Sequence, residues 1–202
     1  MDSLRWKPGK SFGPVLKPLD IYLLESKLEL HPILAQKYDD FRLEFNLATG
    51  QTIGFKGKEE RVFTMKDETA TLPRITELYI ITKSSPWCTI VRNPEGVTLA
   101  DVCRTLWKDY TDLTLTEPEF KDLSPREQDR IQRMALRREA GGFASAFSGM
   151  WGASSTVSFS RCKRIDWLYG KTYFDGLERD DDHAKKKLGF AAPNVFKLRL
   201  GE

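Results

Sequence analysis

Histidine and cysteine are scarce in this 202-residue chain: only His31 and His183 of the first, and Cys88, Cys103 and Cys162 of the second. The cysteines are far apart, odd in number and never in a Cys-x-x-Cys pair, which fits neither a disulfide framework nor a zinc ribbon. No metal site is expected, and no cofactor is implied. Reduced thiols suit a cytoplasmic or nuclear protein that is not secreted. The opening Met1-Asp2-Ser3-Leu4-Arg5-Trp6-Lys7-Pro8 has no apolar run of the signal-peptide kind. Charge of one sign is lacking too. The formal net charge is +3, which argues against the concentrated basic face of a dedicated nucleic-acid binder. The uncharged stretch from Gly141 to Ser160 is long enough to cross a bilayer, but its glycines and serines and its few aliphatics exclude a transmembrane helix. Nor is it a phosphate loop, since no Gly-Lys-Ser/Thr follows.

What is present is a globular composition, 40% hydrophobic and 30% charged, in a chain long enough to bury a core without staples. Pro8, Pro14, Pro18, Gly9 and Gly13 make residues 1–18 an extended stretch, expected to be dispensable for folding. The domain division that follows is an N-terminal arm over residues 1–29, partly extended, and a single domain over 30–202. Strict alternation marks a strand over Phe41–Leu47. Two more strands, Thr76–Thr82 and Trp87–Arg92, flank a turn-rich spacer, Lys83-Ser84-Ser85-Pro86. Thr98-Leu99-Ala100-Asp101 opens a helix with a buried stripe of Leu99, Val102, Cys103, Leu106, Trp107 and Tyr110. Ser124-Pro125-Arg126-Glu127 opens another that runs to about Glu139, before Gly141-Gly142. The tract Arg164–Phe174, dense in aromatic and β-branched residues, is expected to be strand, with a turn at Gly170-Lys171. A short helix over Asp181–Leu188 and a last strand over Val195–Leu200 complete the chain. Strands and helices come in runs, which predicts an α+β fold: a largely antiparallel sheet with two main helices packed on one face. Leu99, Val102, Leu106, Trp107, Phe41, Phe45, Ile80, Ile90, Trp167 and Leu198 are the expected core.

Several pieces in order, Leu30-His31-Pro32-Ile33-Leu34, Ala70-Thr71-Leu72-Pro73, Pro86-Trp87, Gly96-Val97-Thr98-Leu99-Ala100-Asp101-Val102, Arg164-Ile165-Asp166-Trp167-Leu168 and Phe174-Asp175-Gly176-Leu177, resemble a fungal, mainly basidiomycete, family of domains of unknown function, number 6699. The resemblance spans residues 30 to 200 or so. It implies a fold and assigns no activity, and the Gly141–Ser160 stretch and the Asp180–Lys187 charge block stand outside its pattern.

Candidate chemistry is thin. Asp180-Asp181-Asp182-His183 has an incomplete ligand set and reads better as the acidic start of a solvated helix ending in Lys185-Lys186-Lys187. Cys162 lies between Arg161 and Lys163-Arg164, cations expected to lower its pKa. A Cys–His nucleophile would need His31 or His183 beside it. Arg164 and Asp166, on one strand face with Asp175 beyond the turn, are the candidates for acid/base work, against a plain ion-pair ladder. Arg126, Arg130, Arg133, Arg137 and Arg138 line the second helix and offer a weak nucleic-acid face, diluted by Glu127, Asp129 and Glu139. Phe143, Phe147, Met150 and Trp151 in the glycine-rich stretch are candidate contact groups, because long loops are often functional. The lead expectation is a non-catalytic module that binds an unidentified protein or small molecule, away from membranes. The alternatives are an enzyme built on Arg164, Asp166, Asp175 and Cys162, and a weak nucleic-acid binder.

Overall fold

Alternating and continuous apolar runs sort into separate sheets here. A computed structural model of the chain describes residues 3–7, 13–38, 40–140 and 158–202. In order they form α1 (Pro18–Leu23), β1 (Glu29–Leu30), β2 (Arg42–Phe45), β3 (Thr52–Lys56), β4 (Glu59–Arg61), β5 (Thr71–Leu72), β6 (Glu77–Thr82), β7 (Cys88–Arg92), α2 (Leu99–Thr111), α3 (Glu117–Lys121), α4 (Pro125–Glu139), β8 (Tyr173–Glu178), α5 (Asp181–Leu188) and β9 (Val195–Gly201), with 3-10 turns at Ser3–Trp6, Thr64–Asp67, Phe159–Arg161 and Arg164–Leu168. The strands make a four-stranded sheet in the order β7-β6-β9-β8, a three-stranded sheet β2-β3-β4 and the pair β1-β5. Every pairing is antiparallel except β6 with β9, where Ile80 lies beside Phe196. An isolated bridge, Asn46 to Tyr173, ties the two larger sheets together.

The expected arrangement of two main helices on one face is corrected: there are three substantial helices, α2, α4 and α5. Strand β6 shows why. Its run Leu78-Tyr79-Ile80-Ile81 is apolar on both faces, the mark of a strand covered twice. Leu78 and Ile80 join the main core with Val91, Phe196, Leu198 and the α2 stripe Leu99, Val102, Leu106 and Tyr110. Ile81 faces the other way and packs with Val195 and with Ala184 of α5. Helix α4 buries Ile131 and Ala135 in a third cluster with Leu115 and Cys162.

Two further expectations change. Within the Arg164–Phe174 tract, Arg164–Leu168 is a 3-10 turn, and only Tyr173 and Phe174 at its end are strand, in β8. Asp166 accepts the Lys163 backbone N–H at 2.8 Å, and Tyr169 (φ 54°) ends the turn in the left-handed region; a local side-chain cap overrides strand propensity. Among the expected core residues, Ile90 and Trp167 are half-buried and Trp107 is 36% exposed. Trp6 and Leu16 are buried. Trp6 stacks edge-on against His31 with 4.5 Å between ring centroids, and Leu16 donates to the Arg74 carbonyl at 2.9 Å and accepts from Thr76 at 2.9 Å. Trp6 and Leu16, within the stretch expected to be dispensable, thus make packing contacts with the rest of the domain.

Candidate binding groove

Of the four polar residues nominated for chemistry, Asp166, Arg164 and Asp175 each contact a different neighbour and Cys162 is buried. Asp166 is buried and clasped by Arg138, whose Nε and Nη2 lie 3.0 and 3.1 Å from its two oxygens. With the Lys163 N–H added, this carboxylate is fully satisfied, a structural latch between α4 and the 3-10 turn. Arg164 stacks on Trp87, 4.6 Å from the ring centroid, and Trp87 meets Trp167 edge-on at 5.1 Å. Asp175 is exposed on β8, where Arg199 lies 3.7 Å away. Cys162 is fully buried. Burial pushes its thiol up to about 11, with Asp166 adding to the rise, the opposite of what its cationic neighbours in sequence led one to expect. Phe143, Phe147, Met150 and Trp151 lie outside the described residues.

His31 is engaged as well. Its Nδ1 accepts the Ile33 N–H at 3.1 Å and its Nε2 lies 3.1 Å from Glu68 Oε2, so the ring is the Nε2–H tautomer donating to the carboxylate. Burial lowers its pKa to about 4 and raises that of Glu68. With both nitrogens committed, this ring has no lone pair free for a proton or a metal. Among the described residues, no group of three His, Cys, Asp or Glu side chains could hold a metal ion, and all three cysteines are free.

A different place collects exposed apolar surface. Helix α2 carries a second stripe beside its core stripe: Ala100, Cys103, Arg104 and Trp107, again at i, i+3, i+4, i+7. This stripe forms one wall of a groove of about 390 Å³; Gly50 and Thr52 at the start of β3 and Val62, Phe63 and Lys66 after β4 form the other. Gly50 fixes the Trp107 ring. The turn before it is closed by Gly50 N–H to Asn46 O at 2.8 Å and by Ala48 N–H to Asn46 Oδ1 at 2.8 Å. This leaves Gly50 at φ 73°, where a Cβ would lie 2.7 Å from Trp107 Cδ2. Only glycine lets the indole lie flat on this backbone. Gly54 does the same for Phe41, whose ring carbon would be 1.9 Å from an added Cβ, and Phe41 stacks on Phe63 at 5.5 Å. Around these close contacts, Val62 is 82% and Trp107 36% exposed.

The groove can bind but has little to react with. Burial pushes the Cys103 thiol up to about 12, so at neutral pH it is protonated and apolar in character. Among the described residues, the only charged groups in the lining are Lys66 and Arg104. Arg104 reaches back to Asp101, a buried carboxylate that also accepts from Thr98 N–H at 3.1 Å, Thr98 Oγ1 at 2.9 Å and Asn93 Nδ2 at 2.7 Å. The cap of α2 therefore positions the cation on the rim.

All of these groove residues lie inside a segment with known relatives: the family described as Family of unknown function (DUF6699) matches residues 40–184. The chain belongs to that family. No curated protein and no solved structure matches it. The resemblance read from the short pieces is sound at family level, and the matched segment of this DUF6699 chain starts at residue 40 and takes in most of the main core. Sequence reasoning missed the groove because it assigned Trp107 to the buried stripe. Two signals pointed to it: the second i, i+3, i+4, i+7 series on α2, and the glycines at 50 and 54 just after the Phe41–Leu47 strand.

Proposed function

We propose that this DUF6699 chain is a non-catalytic binding module whose groove between α2 and the β2-β3-β4 sheet receives an apolar group from a partner. The observation that carries this reading is Trp107, an indole held flat on Gly50 and still a third exposed. A folded domain gains no stability from leaving an aromatic wall in water, and exposed apolar patches of this kind mark contacts. The commitment of Asp166, Arg164 and His31 to structural partners supports the absence of catalysis. Against nucleic acid, Arg130 stacks on Tyr169 at 4.0 Å, Arg133 pairs with Asp129 at 2.7 Å and Arg138 with Asp166, so three of the five arginines on α4 already have protein partners. No described helix is long and apolar enough to cross a membrane. Free thiols favour a reducing compartment, cytoplasmic or nuclear, and the sequence resemblance favours a fungal source.

The test is a titration of the ¹⁵N-labelled chain with indole and with short aliphatic alcohols as apolar fragments. The indole N–H resonance of Trp107, assigned by its loss in Trp107→Ala, should move saturably. Val62→Glu, on the open rim, should weaken the response without unfolding the chain. If the Trp107 signal stays still while other resonances move, the groove is not the binding surface.

A further inference from the structure

The charges around the groove are one-sided. Lys66 is exposed, and among the described residues no ion pair engages it. Arg104 keeps 61% of its side chain exposed while resting on Asp101. Asp67, next to Lys66, lines a separate cleft with Trp6 and Thr69, and Glu68 is buried on His31. Asp101 is buried under Arg104; Glu59 pairs with Arg61. Glu60 stands opposite Phe55 in the β3–β4 ladder, one residue out of step with Gly54 and Arg61, so it points to the other face of that sheet. An apolar trough thus opens beside two cations: Lys66, with no ion pair among the described residues, and Arg104, which rests on the buried Asp101 yet stays largely exposed. The trough is also open along its length, as the exposure of Val62 shows. A small molecule lying there would keep one side in water, whereas small-ligand sites enclose most of their ligand. A polypeptide needs only to insert a side chain and can leave its backbone outside.

We infer that the groove recognises an acidic peptide segment of a partner protein, with one bulky apolar side chain seated against Trp107 and Phe63 and flanking carboxylates facing Lys66 and Arg104. This rests on the groove being the binding surface, as proposed above. The apolar side chain supplies the anchor, as buried aromatic and aliphatic groups do at interface hot spots. The two cations supply selectivity and faster encounter more than affinity. Exposed ion pairs are worth at most about fivefold each in affinity, so the preference for acids should be modest and should fade with salt.

The experiment pans a randomised short-peptide display library against the full-length chain and, in parallel, against Trp107→Ala. Sequences recovered only by the unaltered chain should carry a bulky apolar residue with Asp or Glu within two or three positions. One such synthetic peptide is then compared with its Gln/Asn counterpart. The acidic form should bind roughly five- to twenty-fold more tightly at low ionic strength, and the gap should narrow in high salt. Lys66→Glu and Arg104→Gln should each shrink it, and Lys66→Glu should make basic peptides the better ligands. Trp107-dependent peptides without acidic enrichment, or an acidic peptide that binds no better than its amide counterpart, would overturn the inference while leaving the groove reading standing. Recovery of no Trp107-dependent sequence would overturn both.

Discussion

Replacing Gly50 with alanine tests whether the groove is built as described. Two costs add. The first is backbone: alanine at φ 73° sits in the left-handed region, at roughly 1–2 kcal/mol. The second is steric. The new Cβ would stand 2.7–2.8 Å from Trp107 Cδ2 and Cε2, well inside van der Waals contact, so the ring must lift. Overpacking of this kind costs about 1–3 kcal/mol. Gly57 is the internal control, because it has a similar φ of 63° and nothing within 4 Å of an added Cβ. Gly57→Ala should therefore cost the backbone part alone, about 1–2 kcal/mol, and Gly50→Ala about 2–5 kcal/mol. In a Trp107→Ala background, Gly50→Ala should fall back to the Gly57 value, giving a coupling of about 1–3 kcal/mol. Urea denaturation followed by far-ultraviolet circular dichroism measures all four variants without relying on tryptophan fluorescence. Equal costs at Gly50 and Gly57, within about 0.5 kcal/mol, would refute the claim that this glycine holds the indole.

The other predictions concern packing and charge away from the groove. Trp6→Ala should destabilise the chain by about 3–5 kcal/mol in a denaturant melt, because Trp6 is buried on His31; a cost under 1 kcal/mol would return the first residues to the status of a dispensable arm. Asp166→Ala removes both the cap on Lys163 and the partner of the part-buried Arg138 and should cost about 3–5 kcal/mol, with Asp166→Asn milder; a near-neutral result would show that the latch between α4 and its turn is idle. His31 has a folded pKa of about 4 against 6.5 when unfolded, so the unfolded chain takes up this proton first on acidification. Its effect on stability is flat above pH 6.5, grows unfavourable between 6.5 and about 4, and reaches about 3 kcal/mol at the bottom of that window. His31→Gln should flatten the pH–stability curve there, and a difference curve with no slope in that range would contradict the buried neutral ring.

What the sequence alone determined is what depends on neighbours along the chain. Caps at Thr98 and Ser124 place α2 and α4 because a hydroxyl and the carboxylate three residues later satisfy the first free N–H groups locally. Alternation from Phe41 gives β2 its buried face, and the short pieces from Ala70 to Leu177 fall inside the segment that matches the DUF6699 family. What only the tertiary structure decided is what depends on partners far away in the chain. The Arg164 tract has strand composition, but Asp166, which caps the neighbouring Lys163 N–H, is clasped by Arg138 of α4 from far along the chain, and Arg164–Leu168 turns there instead. Cys162 has cationic neighbours in sequence, yet burial against Leu115 and Ile131 governs its thiol. Trp107 sits where helical periodicity allows it either face. Gly50, more than fifty positions earlier, offers it a flat bed at the rim of the core, and that contact leaves the indole a third exposed and makes the groove. Period and capping are properties of a few adjacent residues, while the exposure of one side chain is settled by whichever distant backbone folds against it.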